Sequence, residues 1–443
     1  MLTKVALVTI AVLIATLACV VPGLPTPPGL DDVGTRVAAT LTALAPGETT
    51  EPHGPTPEGS PVGPTVPAPS VLRIVYISAG NVWVLTAGGV PQQITASGGA
   101  ERVVISSDGL KVAYTRRGAP EATSELNSIN VDGSGSALLL STAQIDALHP
   151  LGFFVHNDIN NLAFIPGSHR LAFNTRGVLE GPGLPKWDDL FVIDADSAAL
   201  TTVFPAGAGG DFAFSPDGTR VAIIRPTTVG LANADGSGMS ADVVTYTAVI
   251  TYSEYMYYVR PLWTADSAAL GLAIPSSDPL APATSATLWR VPAAGGPAVS
   301  LATISGEFFF AQFDASALAP DLSRVAFLRA TGTPNVHHLI VANSDGSGET
   351  IYATGQLGWL GWAPDGMHFI FSEGAGNNIR LGGLGTAPAP LATGTRLRWL
   401  NGSEFLYLSG SPGLWTLNRG TLGGGIEALA TLAGDYTAYD FDQ

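Results

Sequence analysis

What most constrains this chain is a short unit that recurs along it from Val71 onward. Phe212-Ala213-Phe214-Ser215-Pro216-Asp217-Gly218-Thr219-Arg220-Val221-Ala222-Ile223 sets two apolar runs on either side of a tight Asp-Gly turn. Trp362-Ala363-Pro364-Asp365-Gly366-Met367-His368-Phe369-Ile370-Phe371 repeats it, and Val104-Ile105-Ser106-Ser107-Asp108-Gly109-Leu110-Lys111-Val112-Ala113-Tyr114 is a third copy. Weaker copies start at Phe164, Trp263, Leu318 and Trp399, which makes seven. A second hairpin follows, seen in Asn130-Val131-Asp132-Gly133-Ser134-Gly135, Asn233-Ala234-Asp235-Gly236-Ser237-Gly238 and Asn343-Ser344-Asp345-Gly346-Ser347-Gly348. Asp-Gly supplies the positive φ that a tight hairpin demands. Each unit therefore predicts four antiparallel strands, A to D, and such a unit buries its apolar faces only by packing against copies of itself.

The two motifs together, Ser-Pro-Asp-Gly before an apolar strand and Asn-x-Asp-Gly-Ser-Gly between strands C and D, resemble the TolB-type, WD40-like propeller repeat over residues 71–443. The resemblance implies an all-β fold, a ring of four-stranded antiparallel blades around a central channel. Arg73–Ile77, Val82–Leu85 and Gln92–Thr95 supply strands B, C and D with no A before them, whereas Ala438–Asp442 reads as an A strand with nothing after it. Joining them closes the ring with one composite blade, so seven units plus one predict eight. Seven blades is the alternative, because the units near Phe164 and Trp263 are degenerate. Propellers of the TolB type are often six-bladed, and this chain departs from them in number.

Composition agrees with the class. The 53 glycines and 33 prolines are too many turn formers for a helical bundle. A formal charge of −16 repels phosphate backbones and anionic headgroups, so nucleic acid is not an expected partner. Ahead of the repeats, Lys4 and the apolar run Val5–Val21 read as an export signal. The single cysteine, Cys19, closes that run after Ala18, which resembles a bacterial lipoprotein signal; Thr16 departs from the Leu usual three residues before the Cys. Residues 1–19 are thus expected to be a signal with Cys19 as the lipidation site, an uncleaved anchor or an ordinary secretory signal being the alternatives. All three place the domain outside the cytoplasm. Residues 20–70, with 12 prolines between Pro22 and Ser70, read as an unpacked polyproline-type linker.

A propeller gathers its B–C and D–A connections on one face, where binding usually resides. Five long segments are expected there: Ala143–Asn160, Thr175–Asp189, Ile250–Leu262, Pro275–Thr287 and Ile304–Asp314. They hold five of the chain's eleven tyrosines or border them: Tyr246, Tyr252, Tyr255, Tyr257 and Tyr258 fall within 13 residues. Phe308, Phe309 and Phe310 run together, and Phe153, Phe154, His156 and Trp187 belong to blade 3. Such aromatics suit a protein, peptide or glycan partner, or else pack as strand ends and plug the channel.

Catalytic signals are weak. No serine has the Gly-x-Ser-x-Gly spacing of a nucleophile elbow, and the repeats are expected to leave no room for a hydrolase domain. The Asn-x-Asp-Gly-Ser-Gly loops lack the acidic ligands of a calcium loop. His149, His156 and Asp158 share a segment that could ligate zinc, whereas neighbours His337 and His338 on one strand face opposite ways. Asp188 and Asp189, with Glu180 and Lys186 nearby, could do acid–base work. The sequence therefore reads as a lipid-anchored, extracytoplasmic, monomeric binding or scaffolding module without metal or cofactor. A propeller enzyme of the carbohydrate lyase or hydrolase type and a purely structural envelope protein are the alternatives.

Overall fold

The computed structural model describes residues 71–117, 123–181, 183–252, 255–281, 283–309, 315–374, 378–434 and 437–442. Cys19 and the expected signal and linker lie outside the described residues. The repeats fold into eight blades, each an antiparallel sheet whose strands follow chain order from A to D. Blade 1 is the composite one: Tyr439–Phe441 is its A strand, paired with Arg73–Ser78 through Ile74 to Phe441 and Tyr76 to Tyr439. In blade 6 the A strand is reduced to isolated bridges, Glu307 to Leu328 and Leu318 to Val325. A five-residue helix, Thr142–Asp146, breaks the all-strand pattern.

The turns form as their residues dictate. In the A–B turn of blade 4, Asp217 accepts the Ser215 hydroxyl at 2.5 Å and the Thr219 N–H at 3.0 Å, and Gly218 takes φ +68. The three C–D turns are superimposable in chemistry. Asp132, Asp235 and Asp345 each accept the N–H and hydroxyl of the serine two residues on, which holds their carboxyls below the usual range. The Asp oxygens therefore serve the turn itself.

Packing lies between blades rather than within them. Seven clusters of buried apolar side chains join consecutive blades, from Val75, Val82, Val103 and Tyr114 between blades 1 and 2 to Tyr76, Leu406, Leu417 and Phe441 between blades 8 and 1. Blades 7 and 8 are joined by none of them among the described residues. Polar clamps add to the packing on the turn face: His169 of blade 3 bonds Asp108 of blade 2 at 3.0 Å and Asp196 at 2.8 Å. Burial works against the His169 charge, but these two carboxylates outweigh it and raise the imidazole pKa. The D strands are mostly exposed, and that of blade 7, Thr386–Thr393, carries two exposed prolines, Pro388 and Pro390.

Candidate functional site

The expected long loops are shorter than the sequence reading gives, because strands extend into them. Strand A of blade 3 starts at His156 and its B strand runs to Val178, while Ile250–Tyr252 and Tyr255–Met256 form a small hairpin of their own. The connections of blade 3 are nevertheless long, residues 141–155 and 179–189, and they build one polar and aromatic assembly.

Its base is the carboxylate of Asp189, which is fully buried. It accepts His149 Nε2 at 2.5 Å, the Thr175 N–H at 2.8 Å and the Thr175 hydroxyl. The imidazole of His149 is stacked on Trp187 with centroids 4.5 Å apart. Trp187 donates its indole N–H to Asn157 Oδ1 at 2.8 Å and takes the edge of Phe154 at 5.3 Å. A capping box between Ser141 and Gln144 fixes the short helix, so that Asp146 at its end accepts the Asn157 N–H at 2.8 Å and meets His156 Nδ1 at 3.2 Å. Phe154 lies on the backbone of Gly177, where a Cβ would come within 2.4 Å of the ring. Any residue but glycine there would lift the ring.

A second network ties blade 3 to blade 4. Lys186 pairs with Asp211 at 2.6 Å and sits 3.6 Å from the centroid of the Tyr258 ring, and Tyr258 donates its hydroxyl to Asp188 at 2.8 Å. Burial raises the Asp188 carboxyl above its ordinary range against the Tyr258 hydrogen bond. Burial and Asp188 together push the Tyr258 phenol far up. Asp188 holds φ +48, a left-handed value for a residue with a Cβ, and Gly209 donates its N–H to the Asp188 carbonyl at 2.7 Å. Asp188, Asp189 and Lys186, singled out in the sequence for acid–base work, are thus all engaged by protein partners. Glu180 is not part of the network.

The expected contact residues divide into three groups. Phe153 is 78% exposed and Phe154, His156 and Trp187 are half-buried beneath it. Tyr257, Phe308 and Phe309 are buried, the first and last in the cluster between blades 4 and 5 and Phe308 in that between blades 5 and 6, so they contribute core and no open surface. They pack into the apolar clusters between blades, which a run of aromatics in a loop does not reveal. Tyr258 is half-buried under Lys186, Tyr252 pairs with Tyr255 across the hairpin, and Phe310 lies outside the described residues. Two open side chains escape the sequence reading, Val155 at 39% and Leu184 at 45% exposure. Exposed aliphatics in connections were their signal. His149, His156 and Asp158 take separate partners, Asp189, Asp146 and Arg176, and do not converge on one point. His337 and His338 likewise bond different groups, Glu307 and Thr354.

No protein-family model matches the chain, and no curated protein matches it in sequence. Many solved structures do. A crystal structure of a eukaryotic initiation factor is 13% identical, with a TM-score of 0.50 over 82% of this chain and 85% of that one. TolB from Acinetobacter baumannii is 13% identical, with a TM-score of 0.38 over 75% and 67%. An oligogalacturonate lyase in complex with manganese is also 13% identical, with a TM-score of 0.43 over 74% and 85%. At such identities the likeness is one of fold alone, and by its own strand pairing the chain is an eight-bladed β-propeller.

Proposed function

We propose that this propeller is a non-catalytic binding or scaffolding module whose contact surface is the blade 3 patch of Phe153, Phe154, Val155 and Leu184. The observation that carries this reading is an exposed apolar patch fixed on a rigid polar base. Phe153 and Phe154 lie 4.2 Å apart, Phe154 is held by Trp187 and Gly177, and Trp187 by His149 and Asn157. Rings ordered before contact lose little entropy on binding, and such aromatics carry most of an interface's energy. Exposed aliphatics in the same two connections, Val155 next in sequence to Phe154 and Leu184 three residues before Trp187, favour a protein or peptide over a glycan. Truncating Phe153 and Leu184 in a Phe153→Ala, Leu184→Ser variant should weaken peptide binding at least tenfold. Both side chains are open to solvent, so unfolding stability should stay within about 0.5 kcal/mol. Peptide and glycan arrays probed with both proteins, alongside urea melts, check this; equal binding by the variant removes the patch from the site.

The enzyme reading draws on one observation, the raised Asp188 carboxyl beside Lys186 and Tyr258. Acid–base work there would require Lys186 to leave Asp211 or Asp188 to leave Tyr258. Turnover of an arrayed oligosaccharide, abolished in Asp188→Asn, would favour a lyase or hydrolase.

We further propose that the module is exported and held at the membrane by a lipid on Cys19, with residues 20–70 as spacer. The support is the place of this one cysteine at the end of the apolar run. Cells fed labelled palmitate should label the wild-type chain and not Cys19→Ala; an unlabelled wild type rules the anchor out.

A further inference from the structure

We propose a second binding site, for a small organic carboxylate, in the crevice where blades 7 and 8 meet the closing strand of blade 1. The junction of blades 7 and 8 is the one that no apolar cluster fills among the described residues, and in place of packed side chains it holds a cavity of about 520 Å³. Protein interiors rarely keep voids larger than a water, whereas small-molecule sites run from roughly 300 to 1,000 Å³.

The lining has the chemistry of an anion site. Arg396 and Arg398 of the blade 8 inner strand face it with Thr395 and Ser372, and no carboxylate lines it. Asp440, just outside the lining, offsets the charge of Arg398, so the cation left over at the cavity is Arg396, in a chain with 36 acidic and 20 basic residues. Both guanidinium groups are only part-used. Arg396 donates one N–H to the Thr437 carbonyl, and Arg398 reaches Asp440 at 2.8 Å and the Tyr439 carbonyl at 3.2 Å and lies 4.5 Å over the Phe441 ring, while its side chain stays 42% exposed. The remaining N–H groups have no partner among the described residues.

The backbone is shaped for this arrangement. Pairing with the next strand slips between Thr395 and Arg398, so the inner strand carries an extra residue there. Arg396 takes φ +53, left-handed for a residue with a Cβ. A bulge of this kind re-aims side chains, and a non-glycine in that conformation marks a place where the fold tolerates strain. Its result is that Arg396, Leu397 and Arg398 all line the same cavity. The rest of the lining is largely apolar, Leu360 and Ile379 from blade 7 and Ala438 and Tyr439 from the closing segment of blade 1. Two planar forks next to an apolar wall fit a carboxylate borne on a hydrophobic body, since guanidinium matches carboxylate geometry in a bidentate manner.

The test titrates the full chain calorimetrically with 3-phenylpropionate, with its neutral amide, and with inorganic phosphate, all in 150 mM salt on the order of the physiological level. The carboxylate should bind and the amide should bind at least tenfold more weakly. Arg396→Gln and Arg398→Gln should each weaken carboxylate binding tenfold or more. Arg398→Lys, which keeps a charge for Asp440 and so guards against misfolding, should also weaken it because the fork is lost. No carboxylate binding, wild-type binding by the Arg396→Gln, Arg398→Gln double variant, or binding of phosphate in preference to carboxylate would each overturn the assignment.

Discussion

Removal of residues 437–443 should abolish cooperative unfolding of the domain. That segment supplies the A strand of blade 1, and its Tyr439 and Phe441 side chains are 7% and 4% exposed. Truncating a buried aromatic costs about 3–5 kcal/mol, so losing two approaches the roughly 5–15 kcal/mol that holds a whole domain together. The loss also removes the Asp440 carboxylate, which accepts the Ile105 N–H at 3.0 Å and so ties blade 1 to blade 2, and the Asp442 carboxylate, which accepts the Arg73 N–H at 2.8 Å. The freed edge of Arg73–Ser78 is apolar and would pair with other copies. Circular dichroism melts with size-exclusion chromatography measure both effects. A truncated chain that melts cooperatively as a monomer near the wild-type temperature would mean that the ring does not depend on this strand.

The second large effect is expected from Asp189→Ala. Three donors, His149 Nε2, the Thr175 hydroxyl and the Thr175 N–H, would lose their acceptor inside the protein. Removing one member of a fully buried, charged network typically costs about 3–5 kcal/mol, because the groups left behind stay desolvated and unpaired. Asp189→Asn keeps an acceptor for Thr175 and should recover a large part of the loss. Binding at the blade 3 patch should fall with stability, since His149 is the platform under Trp187. Urea denaturation of the three proteins reads the difference. A change below about 1 kcal/mol in Asp189→Ala would show that the connections are held by other contacts.

These two sites differ in how far the residues announced them. The closing strand was legible because Arg73–Gln93 spells a B, C and D strand without an A, and a missing partner can be located by looking for its pattern elsewhere. Eight blades follow from the same count, and blade 6 satisfies it although its A strand survives only as bridges. Asp189 was legible as an acid in a connection and not as a buried base of a network, because its three donors come from residues 149 and 175, which only the blade brings together. Aromatic runs misled in a specific way. Phe308 and Phe309 follow the first of the two bridges left of the blade 6 A strand, and two different inter-blade clusters take their side chains. Arg396 and Arg398 gave no signal beyond their spacing, since the empty junction beside them depends on what blade 7 does not supply.

The two prolines on the rim of blade 7 have a consequence for how copies of this ring meet. Every blade ends in an outer strand whose unpaired N–H and C=O groups could accept a strand from another molecule. Pro388 and Pro390 have no N–H to offer on the outer side of the strand, whichever way the chain turns at the irregular pairing around them. Proline is tolerated in a sheet where that side faces solvent. A foreign strand aligned on blade 7 would then find two successive donors absent and could not zip along it. On this sector of its circumference the ring resists lateral growth through the covalent structure of its own edge, without a loop or helix laid over it.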